Sequence, residues 1–97
     1  MAIQYNVDSV TVALTTTSVV PARFSRKTLI LTNASDEDIN VAIGAEASLG
    51  KGITLKAGGG TYNFDLKEES PRNEVFNAIC TSGGKELTIM EVYEDNA

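Results

Sequence analysis

The chain has no histidine and no tryptophan, one cysteine and two prolines among its 97 residues. Without histidine there is no Ser-His-Asp or Cys-His arrangement and no imidazole ligand for a metal. Cys80 has no partner for an internal disulfide and cannot anchor a thiolate cluster by itself. With no imidazole to activate it, it reads as a small buried hydrophobe in a strand. Nowhere do about 18 apolar residues stand together, roughly the least that would cross a bilayer as a helix. Met1-Ala2-Ile3-Gln4-Tyr5 lacks the basic start and apolar run of a secretion signal. The expectation is a chain made and kept in a cytosol until it joins something else, with no membrane partner. Asn33-Ala34-Ser35 matches a glycosylation triplet, but without such a signal it is read as an unmodified turn.

What is present is ordinary for a globular protein: 42% hydrophobic and 22% charged residues, too apolar for a disordered tail. The length allows one domain, 1–97, with a single modest core. A net charge of -5 opposes nonspecific attachment to nucleic acid, which depends on lysine and arginine displacing counterions from phosphates.

Structure is most legible between Arg26 and Gly44. Leu29-Ile30-Leu31 is an unbroken apolar run between Thr28 and Thr32, which predicts a strand covered on both faces. Ile39, Val41 and Ile43 alternate with Asn40, Ala42 and Gly44, as in a strand with one face on a core. Asn33, Ser35 and Asp36 between them favour a turn, so the stretch predicts a hairpin.

Upstream, Ile3, Tyr5 and Val7 alternate with Gln4 and Asn6, and then Val10, Val12 and Leu14 alternate with Ser9, Thr11 and Ala13. The pattern predicts two short strands, or one with a break at Asp8-Ser9. Pro21, which cannot donate a ladder hydrogen bond, should end or edge the segment at Val19-Val20. Downstream, residues 45–52 read as a loop whose core contribution is Leu49. Ile53 and Leu55 mark a short strand, Gly58-Gly59-Gly60 a turn, and Tyr62, Phe64 and Leu66 another strand. Val75 to Cys80 and Glu86 to Tyr93 are two more, joined by a glycine hairpin at 81–85. In the last, Leu87 and Ile89 have one parity and Met90 and Val92 the other, which predicts a bulge or a strand covered on both sides. Seven or eight short strands with no helical period predict an all-β fold, a single antiparallel β-sandwich of jelly-roll or Ig-like type.

Chemistry is harder to find. Asp36, Glu37, Asp38, Asp65, Glu68 and Glu69 could supply a carboxylate pair, but they fall in polar turns where solvated acids are the expected content. Asp36-Glu37-Asp38 falls short of a calcium loop, and Gly58-Gly59-Gly60 lacks the helix that follows a phosphate loop. No catalytic residue, metal or cofactor is expected. The most suggestive feature is Arg23-Phe24-Ser25-Arg26-Lys27, three cations around an aromatic, suited to an acidic partner surface. Its plainer reading has Phe24 under the rim of the sandwich and the charges facing water.

Val20-Pro21-Ala22-Arg23-Phe24-Ser25-Arg26-Lys27 leading through Thr28-Leu29-Ile30-Leu31-Thr32-Asn33, then Ile39 to Gly44 and Gly52 to Gly59, resembles small β-sandwich virion proteins of tailed bacteriophages. With Val75 to Ile79 and Leu87-Thr88-Ile89 the likeness spans about 60% of the chain. The acidic tail, Glu91 to Ala97, departs from the pattern. The resemblance implies a non-enzymatic structural component: a head decoration or cement protein, a head-fibre-associated piece or a tail accessory protein. Its partners would be the major capsid protein or another virion protein and further copies of itself, and its place the virion. Arg23, Phe24, Arg26 and Lys27 are the candidate contact residues. The rival reading is a carbohydrate-binding sandwich module, which would need an aromatic such as Tyr62 or Tyr93 exposed in a shallow groove.

Overall fold

Side chains that alternate in sequence become strands with one face turned to a shared core. A computed structural model describes residues 2–22, 26–65 and 74–95. Its strands are β1 (Ala2–Val12), β2 (Thr17–Val20), β3 (Arg26–Asn33), β4 (Ile39–Ile43), β5 (Ile53–Leu55), β6 (Gly60–Asp65), β7 (Phe76–Cys80) and β8 (Lys85–Asp95). They form two four-stranded sheets, ordered β1-β8-β3-β6 and β2-β7-β4-β5, with every pairing antiparallel. The expected all-β sandwich is therefore what forms. Among the described residues only β4 and β5 are both consecutive and paired. All other connections cross between the sheets, which is jelly-roll wrapping rather than an Ig-like order.

That wrapping overturns both predicted hairpins. β3 lies in the first sheet and β4 in the second; β7 and β8 are likewise separated. Turn residues reverse the chain in either case, and nothing local distinguishes a hairpin from a crossover. At the first crossover Asn33, fully buried, donates from Nδ2 to the carbonyls of Glu37 (2.7 Å) and Leu55 (2.8 Å). Its Oδ1 accepts from the amide (3.0 Å) and hydroxyl (2.6 Å) of Ser35. One side chain thus satisfies a turn that no ladder could satisfy.

The core lies between the sheets. Val12, Leu29, Leu31 and Leu87 from the first meet Val20, Ile39, Val41, Phe76 and Ala78 from the second. Cys80 is fully buried there as expected of a small hydrophobe, and its thiol donates to the Val12 carbonyl at 3.3 Å. In the loop after β4 it is Ala47 that is buried, while Leu49 is 50% exposed, contrary to the expectation for Leu49. The smaller side chain fits because the Ala47 amide is held by the Thr16 hydroxyl at 2.9 Å, close to the sandwich. At the head of β6, a Cβ on Gly60 would lie 2.6 Å from the Lys56 carbonyl oxygen, so only glycine closes the turn from Lys56.

β1 and β8 pair without interruption over 11 residues, so no break occurs at Asp8-Ser9. At about 3.4 Å per residue this ladder is roughly 37 Å long, close to the 41 Å long axis of the molecule. The strands of the second sheet have only three to five residues. They cannot cover the whole ladder, and the inward positions Gln4, Asn6 and Asp8 are accordingly polar.

Candidate functional site

Because β1 has no break, its change of apolar phase must turn side chains to opposite faces. Val10 and Val12 point into the core, and Ile3, Tyr5 and Val7 point out from the first sheet. β8 changes phase in the same way: Leu87, Ile89 and Glu91 are buried, and Met90 is exposed. The two changes are in register, with Val7 opposite Met90 and Tyr5 opposite Val92. β3 continues both rows, with Ile30 beside Met90 and Thr28 beside Val92. The outer face of the sheet therefore carries an apolar patch of Ile3, Tyr5, Val7, Ile30, Met90 and Val92. Exposure is 49% for Ile3, 69% for Tyr5, 76% for Val7 and 40% for Met90. Ile30 is half-buried, so the Leu29-Ile30-Leu31 run is covered on one face by the core and only partly on the other.

Beside the patch, the same face turns polar. Ser9, Thr88, Thr32 and Thr61 form the next row across the sheet. Beyond them, the carboxylate of Glu86 accepts hydrogen bonds from the hydroxyls of Ser9 (2.9 Å) and Thr11 (2.6 Å). The Thr11 and then the Ser9 hydroxyl hold the Glu86 carboxyl below its ordinary range. Half of the face is thus furnished for water and half is not.

The basic cluster divides. Arg23 and Phe24 lie outside the described residues. Lys27 is exposed, as a contact residue would be. Arg26 is fully buried, which removes it from any outer surface and corrects its expected place among the contacts. Its Nε donates to Glu91 at 2.8 Å, one terminal nitrogen donates to the Glu74 carbonyl at 3.1 Å, and the other donates to the Pro21 carbonyl. The guanidinium carbon stands 5.5 Å from the centre of the Phe76 ring, a cation–π distance. The cause is a bulge in β3: Arg26 pairs with Tyr93 and Thr28 with Val92, so Lys27 is an extra residue pushed outward and Arg26 takes the inward slot. The last strand has neither the expected bulge nor cover on both sides: β8 pairs with β1 without a register shift, and Met90 is 40% exposed.

The acidic turn is solvated, with the Asp36 side chain 81% exposed, and it is also tied to its neighbours. Asp36 meets Lys85 at 2.7 Å, and Glu37 accepts from the amide (2.7 Å) and hydroxyl (2.6 Å) of Ser82. Asp38 accepts from the Ala57 amide at 2.8 Å and faces Lys56 at 3.3 Å. The hydrogen bond from Lys85 lowers the Asp36 carboxyl, those from Ser82 lower Glu37, and that from the Ala57 amide lowers Asp38. These are struts between turns at one end of the sandwich. Among the described residues no group of three or more His, Cys, Asp or Glu is placed to hold a metal ion. Nor is any helix long and apolar enough to cross a membrane. Tyr62 and Tyr93 are half-buried, and Tyr62 packs against the core.

The outward patch is visible in the sequence as two changes of phase, at Val7–Val10 and at Ile89–Met90. In the sequence the basic cluster stands out instead, because a change of phase has the same signature as a break or a bulge. Compared with protein-family models, with curated proteins and with solved structures, the chain finds no match.

Proposed function

We propose that this chain is a non-enzymatic virion structural protein of a tailed bacteriophage, a capsid decoration or cement protein or a head-fibre-associated piece. It docks on the major capsid protein or a neighbouring virion protein through the outer face of its first sheet. The observation that carries the docking is the matched phase change in β1 and β8, which turns Tyr5, Val7 and Met90 to solvent in one patch. Covering such a patch gains about 25 cal/mol per Å² of apolar surface, whereas leaving it in water gains nothing. Lys27, next to Thr28 on the same face, belongs to the proposed margin, and Arg23 and Phe24 stay candidate contacts on the ground of the sequence alone. The virion assignment is supported by the resemblance centred on residues 20–60 and by the jelly-roll wrapping, which viral capsid domains share with proteins of other functions.

Mass spectrometry of purified particles should detect the chain, and purified chain should co-sediment with particles lacking it. Met90→Asp puts a charge in the middle of the patch and should weaken co-sedimentation roughly tenfold or more, with the β-type circular dichroism unchanged. Lys27→Glu should weaken it less. Absence of the chain from particles, or undiminished binding by the Met90 variant, would overturn the proposal.

A further inference from the structure

The four edge strands of the two sheets are not treated alike. β5 has three residues; β2 has four, shifts register between Ser18 and Val20, and runs into Pro21. β6 sets Thr61 and Asn63 outward. β1 has 11 residues, no bulge, no proline and no lysine or arginine, and among the described residues nothing pairs with its outer edge. Short length, bulges, proline and lysine are the usual protections of a sheet edge against pairing with another strand. β1 lacks these four, its one charge is Asp8 near the middle of the strand, and the exposed side chains of its first half, Ile3, Tyr5 and Val7, are apolar.

We propose that the outer edge of β1 pairs antiparallel with β1 of a second copy, about a two-fold axis at Tyr5. This goes beyond the docking of the face and concerns the isolated chain in solution. An isologous pair must be self-complementary, and the register centred on Tyr5 is. Ile3 faces the second copy's Val7, Tyr5 faces Tyr5 and Val7 faces Ile3, all on the outer face. Gln4 faces Asn6 on the other. Asp8, the one charged residue between Ala2 and Val12, faces Ala2, so no like charges meet on two chains that otherwise repel at -5 each. Centring on Val7 instead would set Tyr5 against Ser9 and Ile3 against Thr11. The paired edge is about 24 Å long for seven residues. An edge of this length makes a small interface, so the dimer is expected to be weak and concentration-dependent. The product is a continuous eight-stranded sheet whose two apolar patches lie side by side.

The test uses the full chain alone, by light scattering and sedimentation over a concentration series. Wild type should show a concentration-dependent monomer–dimer equilibrium. Ile3→Lys with Val7→Lys sets lysine against lysine at both outer pairs and should weaken the dimer about tenfold or more. Ile3→Lys with Val7→Glu sets each lysine against a glutamate and should keep it. Tyr5→Cys should give a disulfide-linked dimer on mild oxidation, with Cys80 buried and out of reach. A wild type that stays monomeric or forms a trimer would overturn the proposal. So would a dimer indifferent to the double lysine variant, loss of the dimer in the lysine–glutamate variant, or no cross-link through Tyr5→Cys.

Discussion

The Nε of Arg26 lies 2.8 Å from a carboxylate oxygen of Glu91, and both residues are shut away from water. The pair joins the start of β3 to the far part of β8. Through the Pro21 and Glu74 carbonyls, the same guanidinium also holds the ends of the segments that leave β2 and enter β7. Four parts of the chain are gathered on one side chain.

Removing one member of this pair leaves the other charge buried without its partner. Arg26→Met is expected to cost about 3–5 kcal/mol, a large share of the roughly 5–15 kcal/mol that holds a chain of this size. Arg26→Met with Glu91→Leu should recover most of that loss, because it removes both desolvated charges and adds apolar contact. Urea unfolding of the two single variants and the double variant measures the coupling. Additive losses would mean that the pair is not a unit.

Asn33 makes every contact its amide can offer to the β3–β4 crossover. Asn33→Ala strands the buried Leu55 carbonyl and should cost about 2–3 kcal/mol. Asn33→Asp should cost more, since a carboxylate oxygen replaces the donor facing two carbonyl oxygens. Urea midpoints at neutral pH check the order. Equal stability of Asn33→Ala and wild type would show that the crossover holds without its amide.

The acidic struts set a pH dependence. Asp36, Glu37 and Asp38 have folded values below their ordinary ones of 3.8, 4.5 and 3.8. Their contribution is complete above the ordinary values and is lost as pH falls through the lowered ones. Lys85, raised above 10.5 by Asp36, contributes below that value and loses its contribution as pH rises through the raised one. Stability should therefore be flat from about pH 5 to about pH 10 as far as these groups are concerned, and fall on either side. Glu37→Gln should flatten the acid limb in thermal melts across pH; an unchanged limb would place the acid sensitivity elsewhere.

Strand existence was legible because alternation is written residue by residue: Ile39-Asn40-Val41 and Leu87-Thr88-Ile89 can do little else. Which sheet a strand joins was not. Asn33 to Asp38 and Thr81 to Lys85 read as hairpins, and both are crossovers, since a turn residue specifies reversal of the chain and not the strand it returns to. The inward turn of Arg26 is hidden for a related reason. Counting back from Leu29 puts Lys27 inward and Arg26 outward, and the bulge at Lys27 reverses them. The apolar patch sat in plain view at Ile3, Tyr5 and Val7, but it becomes a face only once Met90, Val92 and Ile30 stand beside them.

Sequence by itself determined the strand content, the absence of imidazole chemistry and the small apolar core, because side-chain period and residue type are properties of neighbours along the chain. Tertiary structure decided the jelly-roll order, the burial of Arg26 against Glu91 and the direction of the Tyr5 row. Those depend on pairing between residues as far apart as Tyr5 and Val92, whose register is set by the whole core closing at once.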